Sequence, residues 1–177
     1  MKKIGLISDT HGWIDDKTLS YLGDCDEVWH AGDFGSMDIA NKIVDMGFVI
    51  DNKSDSKPDV KILKGVWGNI DGKDVRLEFP EEQRWKTENL EVFMIHIGGY
   101  PDRYSKGIKE KLIQNKTQLF ICGHSHILKV IYDQKINCLH MNPGAAGKQG
   151  WHKVRTLIRF VIDGNEIKDC EVIELKP

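Results

Sequence analysis

Cysteine is scarce in this chain of 177 residues. There are four, Cys25, Cys122, Cys138 and Cys170, and no two form a C-x-x-C pair. A disulfide framework is not expected, because a chain of this size buries enough core without staples. Cys122, in the apolar run Leu119-Phe120-Ile121-Cys122, reads as a buried thiol. No apolar run approaches the length of a membrane-crossing helix. The opening Met1-Lys2-Lys3-Ile4-Gly5-Leu6-Ile7-Ser8 is basic and then apolar, but Asp9 ends the run too early for a signal-peptide core, so a cytoplasmic location is expected. Charge of one sign is also missing. The 25 basic and 27 acidic residues leave a formal charge of −2, so no overall field draws the protein to nucleic acid or to an anionic membrane. Repeats and low-complexity segments are absent, and one domain over residues 1–177 is expected.

Apolar runs alternate with polar, glycine-containing breaks. Strands are expected at Lys3–Ser8, Glu27–His30, Phe48–Ile50 and Val60–Val66, with short helices at Lys17–Leu22 and from Ser36 through Met46. The polar stretch Asp51–Pro58 reads as a loop. The second half is richer in strands: Val75–Phe79, Arg84–Thr87, Leu90–Ile95, Leu119–Cys122, Leu128–Tyr132, Ile136–Met141, Thr156–Ile162 and Glu166–Ile173. Ser105–Asn115 is an amphipathic helix, and Asp163-Gly164-Asn165 is a hairpin signal. This order predicts an α/β fold with two facing sheets and helices outside.

Five polar motifs sit where apolar runs end: Asp9-Thr10-His11, Gly32-Asp33, Gly68-Asn69-Ile70-Asp71, His96 and Gly123-His124-Ser125-His126. Strand ends are the usual ligand position in open α/β folds. Taken singly, Asp9-x-His11 is a loop or cap, and Gly32-Asp33 and Gly68-Asn69 are turns. Taken together they supply carboxylate, imidazole and amide groups suited to two hard or borderline cations. Two such cations, balanced by Asp9, Asp33 and a bridging hydroxide, leave the site positive, which favours an anionic phosphate over a neutral ester. Manganese is the first expectation, with Fe, Zn, Ni or Co compatible with the mixed N and O donors. His30, His140 and His152 are expected outside the ligand set, and removal of His152 is expected to leave metal content unchanged.

In these motifs, and in Asn142-Pro143-Gly144 after them, the chain resembles the calcineurin-like metallophosphoesterase superfamily, and most of all its compact bacterial and archaeal phosphodiesterase branch. The resemblance implies a four-layer α/β/β/α sandwich of two mixed sheets flanked by helices. It implies that Asp9, His11, Asp33 and His126 hold one metal and that Asp33, Asn69, His96 and His124 hold the other. Asn69, Asp71 and His96 are the expected catalytic set, with Asp71 behind the ligands. The implied reaction is hydrolysis of a small phosphate ester, a diester rather than a monoester, by in-line attack of a metal-bridging hydroxide. Two departures matter. Many members carry a histidine after the motif's Asn, where this chain has Ile70, so the general acid is unassigned. Members often read His-Gly-His where this chain has His96-Ile97-Gly98-Gly99, leaving Gly98 and Gly99 to offer backbone amides to phosphate. Arg103 is a candidate for a second phosphate or carboxylate, or equally a surface ion pair; Tyr100 and Tyr104 are candidate pocket residues. Trp13 could stack on a base or cover its loop. The alternative reading is a catalytically silent scaffold of the same fold, as in the retromer subunit Vps29, although all seven ligand positions here carry competent residues. A homodimer is compatible with the sequence but not demanded by it.

Overall fold

The computed structural model describes residues 1–51 and 59–176, so most of the expected Asp51–Pro58 loop lies outside the described residues. In chain order the elements are β1 (Lys2–Ile7), α1 (Asp16–Gly23), β2 (Glu27–His30), α2 (Met37–Val44), β3 (Val49–Ile50), β4 (Ile62–Gly65), α3 (Lys73–Glu78), β5 (Glu82–Thr87), β6 (Leu90–Ile95), β7 (Gly99–Tyr100), β8 (Arg103–Tyr104), α4 (Ile108–Gln114), β9 (Leu119–Ile121), β10 (Lys129–Asp133), β11 (Cys138–Asn142), β12 (Arg155–Asp163) and β13 (Glu166–Leu175).

Two mixed sheets face each other. One has the order β13-β12-β1-β2-β4-β3, the other β10-β11-β9-β6-β5, and β7-β8 is a separate ribbon. In the first sheet β1, β2, β4 and β3 are parallel, and β12 and β13 join antiparallel. In the second, β11, β9 and β6 are parallel and flanked by antiparallel β10 and β5. Alternation along the strands divides the core. Ile4 and Leu6 of β1 join Trp29, Trp85, Met94, Ile121, Ile158 and Phe160 between the sheets. Ile7, one residue on, faces the other way and packs with Leu22 of α1, Ile39 and Ile43 of α2, and Val75 of α3. Phe93 and Phe120 cover the outer face of the second sheet with Ile108 and Leu112 of α4. This is the expected α/β/β/α sandwich.

Three elements differ. The short strands β7 and β8 form a two-residue ribbon where no strand is expected. Val75–Phe79 is expected as a strand because Val75, Leu77 and Phe79 alternate. Instead, Lys73–Glu78 is helical. Val75 in the helix and Phe79, the extended residue that ends it, are buried, and Leu77 is 77% exposed. Three apolar residues at spacing two also satisfy spacing four, and the packing decides. Ser36 stands at the N-cap of α2, but its side chain makes no cap hydrogen bond. The Gly164-Asn165 hairpin forms, with Asp163 paired to Glu166. All four cysteines are unpaired thiols.

Candidate metal centre

The five motifs meet at one edge of the paired sheets, because β1, β2, β4, β6 and β9 all end there. The loops are laced to one another by backbone bonds. Asp9 N–H donates to Gly32 O (2.9 Å), His11 N–H to Asp33 O (3.0 Å) and Gly123 N–H to His96 O (3.0 Å). Five of the seven expected ligands have left-handed backbone: Asp9 (φ 54°), His11 (47°), Asp33 (57°), His124 (68°) and His126 (59°). That conformation is uncommon outside glycine and clusters at functional sites. At Asp9/His11 and His124/His126 it recurs two residues apart and turns both side chains of each pair inward.

The side chains form two groups whose ligand atoms lie within 4.8 Å of one another, Asp9–His11–His126 and Asp33–His96–His124. His126 Nε2 is 3.1 Å from Asp9 Oδ1 and 3.2 Å from His11 Nε2. His11 Nε2 is 3.7 Å from Asp33 Oδ2, and His96 Nε2 is 3.2 Å from that same oxygen, which places Asp33 between the groups. Asn69 Oδ1 is 3.1 Å from His96 Nε2 and 3.0 Å from His124 Nδ1.

The donor set fits cations. His96 Nδ1–H donates to the carbonyl of Ala31 (2.7 Å), so in the neutral ring Nε2 is a bare lone pair aimed at Asp33 and Asn69. His152 Nε2–H donates to Gly147 O (2.9 Å), which leaves its Nδ1 to accept from His126 Nδ1 (3.3 Å). His126 Nε2 is then also a lone pair. Asp9 Oδ1 is fully buried among these nitrogens with no hydrogen-bond partner among the described residues. Acceptors facing acceptors at such distances require positive charge between them. Without a metal, a proton on His96 can supply it. Burial alone would lower the pKa of His96, but the hydrogen bond to Asp33 and the charges of Asp9 and Asp33 outweigh burial and raise it. Burial would raise Asp33, yet His96 holds it below the usual carboxylate range. For His11 burial prevails over the attraction of Asp33 and Asp9, and its pKa falls.

The surrounding residues fix this arrangement. Asp71 accepts from the amides of Phe34 (3.2 Å), Gly35 (2.8 Å) and Gly68 (2.8 Å). Both its oxygens stitch the Asp33 loop to the Asn69 loop, behind the ligands. Ser8 Oγ donates to Asp9 Oδ2 (2.6 Å), which also accepts from His124 N–H (3.1 Å). His30 takes Gly32 N–H on Nδ1 (3.2 Å), so its Nε2–H faces Thr10 Oγ1 (2.9 Å). It stacks on Phe34, and burial pushes its pKa down to about 3. Asn142 donates to Gly123 O (2.9 Å) and holds the His124 turn. None of His30, His140 and His152 belongs to the two groups, but His30 and His152 each support them. The signal that finds His152 is its place after the Asn142-Pro143-Gly144 turn, whose loop returns to β1 through Gly147 N–H and Asp9 O (3.1 Å).

Gly98, Gly99 and Tyr100 line a cavity of about 180 Å³ beside His124, together with Lys129. Arg103 does not line it. That side chain lies exposed on β8, and the cation at the cavity is Lys129, 3.7 Å from the Tyr100 ring centroid. Tyr104 donates to Asp133 (2.6 Å) and packs on Phe120, a structural role. Trp13 neither stands free for stacking nor simply covers its loop, since Lys148 and Arg155 lie over its ring at 4.1 and 4.7 Å.

Residues 1–165 match the family model of the calcineurin-like phosphoesterase superfamily domain. The chain belongs to that superfamily. No curated protein sequence matches it. Among solved structures, Vps29 from Chaetomium thermophilum is 14% identical with a TM-score of 0.73, over 99% of this chain and 97% of that one. Zinc-complexed Vps29 from Entamoeba histolytica is 16% identical with a TM-score of 0.69, over 97% and 98%. A novel archaeal phosphodiesterase is 21% identical with a TM-score of 0.68, over 98% and 99%. Identities this low establish the shared fold. The superfamily is one of metal-dependent phosphoesterases, and this member keeps two candidate ligand groups.

Proposed function

We propose that this protein is a dinuclear metal-dependent phosphodiesterase. The observation that carries the reading is the convergence of acceptors on buried, unpartnered Asp9 Oδ1. Asp9, His11, Asp33 and His126 would hold one cation, and Asp33, Asn69, His96 and His124 the other. When bound, such cations lower the pKa of water towards neutrality and neutralise charge on a phosphate. The chain's own residues do the rest. Asp33, held by the Ile70 amide (3.0 Å), orients the two ligand groups relative to one another. Ala31 and His152 fix which nitrogens of His96 and His126 face inward. Asn69 presents a neutral oxygen beside the second group, where a phosphate would sit.

Two features favour a diester. Ile70, 46% exposed next to Asn69, offers no proton for a leaving group, which suits esters whose leaving group needs none. A cleft of about 400 Å³ along His124 and His126, with Ile127 and Trp151 on its wall, gives room for a second organic substituent. Manganese is the proposed metal and the cytoplasm the proposed location. The test pairs metal analysis of the purified protein with manganese-stimulated hydrolysis of bis(p-nitrophenyl) phosphate and of p-nitrophenyl phosphate. Two metals per chain and faster diester turnover are expected. Absence of both metal uptake and turnover would move the reading to a protein-binding scaffold, a role favoured only by the likeness to Vps29.

A further inference from the structure

Next to the metal centre lies a second pocket, of about 310 Å³, lined by Trp13, Asp15, Lys148, His152, Lys153 and Arg155. It shares one lining residue, His152, with the cleft of His124 and His126. Its other walls are tied to the ligand loops. Trp13 N–H donates to Thr10 O (3.0 Å), inside the Asp9–His11 turn, and Lys148 follows Gly147, whose amide holds the Asp9 carbonyl (3.1 Å).

The charges of this pocket do not cancel. Arg155 is 8% exposed and lines it, donating to Asp15 Oδ2 (2.9 Å) and to Ala146 O (3.1 Å). Asp15 is fully engaged, because it also caps α1 at Thr18 N–H (2.9 Å). Lys148 and Lys153 are exposed, and neither has a carboxylate within ion-pair distance among the described residues. The Lys148 ammonium rests over the indole of Trp13, and both residues line the pocket. One carboxylate against three cations leaves an excess of positive charge beside a site that already favours a phosphate.

We infer that this pocket binds a second phosphate group of the substrate, so that the preferred ligand carries one phosphate at the ligand groups and another between Lys148 and Lys153. Two unpaired ammonium groups suit a phosphate, which accepts several point-charge donors at once. The inference rests on the phosphoesterase reading, since it needs the first phosphate at the metal centre. The cavity at Gly98 and Gly99, with Lys129 alone, is the competing position.

Calorimetric titration of the manganese-loaded protein with butyl phosphate and with butane-1,4-diyl bisphosphate tests the inference. The bisphosphate is expected to bind roughly ten- to a hundredfold more tightly, the range for one or two charge-assisted hydrogen bonds. The Lys148→Ala/Lys153→Ala protein should bring the two affinities together, and the Lys148→Glu/Lys153→Glu protein should invert their order. Equal affinities in the unmodified protein would overturn the inference, as would a preference that disappears in Lys129→Ala instead. Hydrolysis of bis(p-nitrophenyl) phosphate, measured in parallel, reports separately on the phosphoesterase reading. Turnover with equal affinities refutes only the second site. A bisphosphate preference without turnover refutes only the catalysis.

Discussion

Replacing His152 by alanine tests the donor set most directly. His152 lines up Gly147 O, its own ring and His126 through contacts of 2.9 and 3.3 Å. The rings of His126 and His152 meet edge-on with centroids 5.2 Å apart. Removing the ring takes away the acceptor that keeps the proton of His126 on Nδ1 and its lone pair on Nε2. Partners of this kind contribute about ten- to a hundredfold to metal affinity, or roughly 1.4 to 2.7 kcal/mol. The 3.3 Å contact is long and His152 is only half-buried, so water can partly replace it; the expected loss is at the lower end, about tenfold. Competition with a chromophoric chelator would read the manganese affinity directly. His152→Gln, which keeps an acceptor, should recover part of the loss. An affinity unchanged in His152→Ala would refute the assigned hydrogen-bond direction, and with it the argument that His126 faces inward with a lone pair. The sequence alone points only to an unchanged metal content.

Asp33→Asn should lower diester turnover by roughly a hundredfold or more and weaken the weaker metal site, because one charge between both groups is lost; turnover near normal with two metals retained would refute the bridging role. Gly68→Ala should destabilise the protein by about 1–3 kcal/mol and disturb metal binding, because its Cβ would run into Asp33 N and Oδ1, whereas a Cβ at Gly23 meets nothing; thermal melts of Gly68→Ala against Gly23→Ala check this. His30 binds its proton at about 3 in the folded chain against 6.5 for an ordinary histidine. The unfolded chain therefore takes up the proton first as pH falls. The contribution of neutral His30 is complete above 6.5 and is lost on acidification towards 3, with a slope of up to about 1.4 kcal/mol per pH unit. Urea unfolding of the metal-free protein should show a flatter acid limb in His30→Gln.

Most strands along the chain, and the polar motifs at their ends, were legible because each depends on local pattern. An apolar run ending in Asp-x-His, Gly-Asp, Gly-Asn or Gly-His-x-His marks where a strand stops and polar groups begin. The same local reading fails at Val75–Phe79, where one spacing serves a strand and a helix equally. Arg103 was left open by the sequence, between a phosphate contact and a surface position. Its motif neighbours Gly98 and Gly99 line a cavity, while Arg103 is exposed on β8 and Lys129 of β10 lies beside Tyr100.

The sequence by itself determined the alternation of elements, the set of carboxylates, imidazoles and amide, and the absence of a proton donor at Ile70, since these are properties of residues and their nearest neighbours. Only the tertiary structure decided which nitrogens of His96 and His126 face inward, which amides Asp71 holds, that His152 stands behind His126, and that Trp13, Lys148, Lys153 and Arg155 share one pocket. Those facts depend on contacts between segments up to 140 residues apart, such as Asp15 with Arg155, and no local pattern encodes a distance in space.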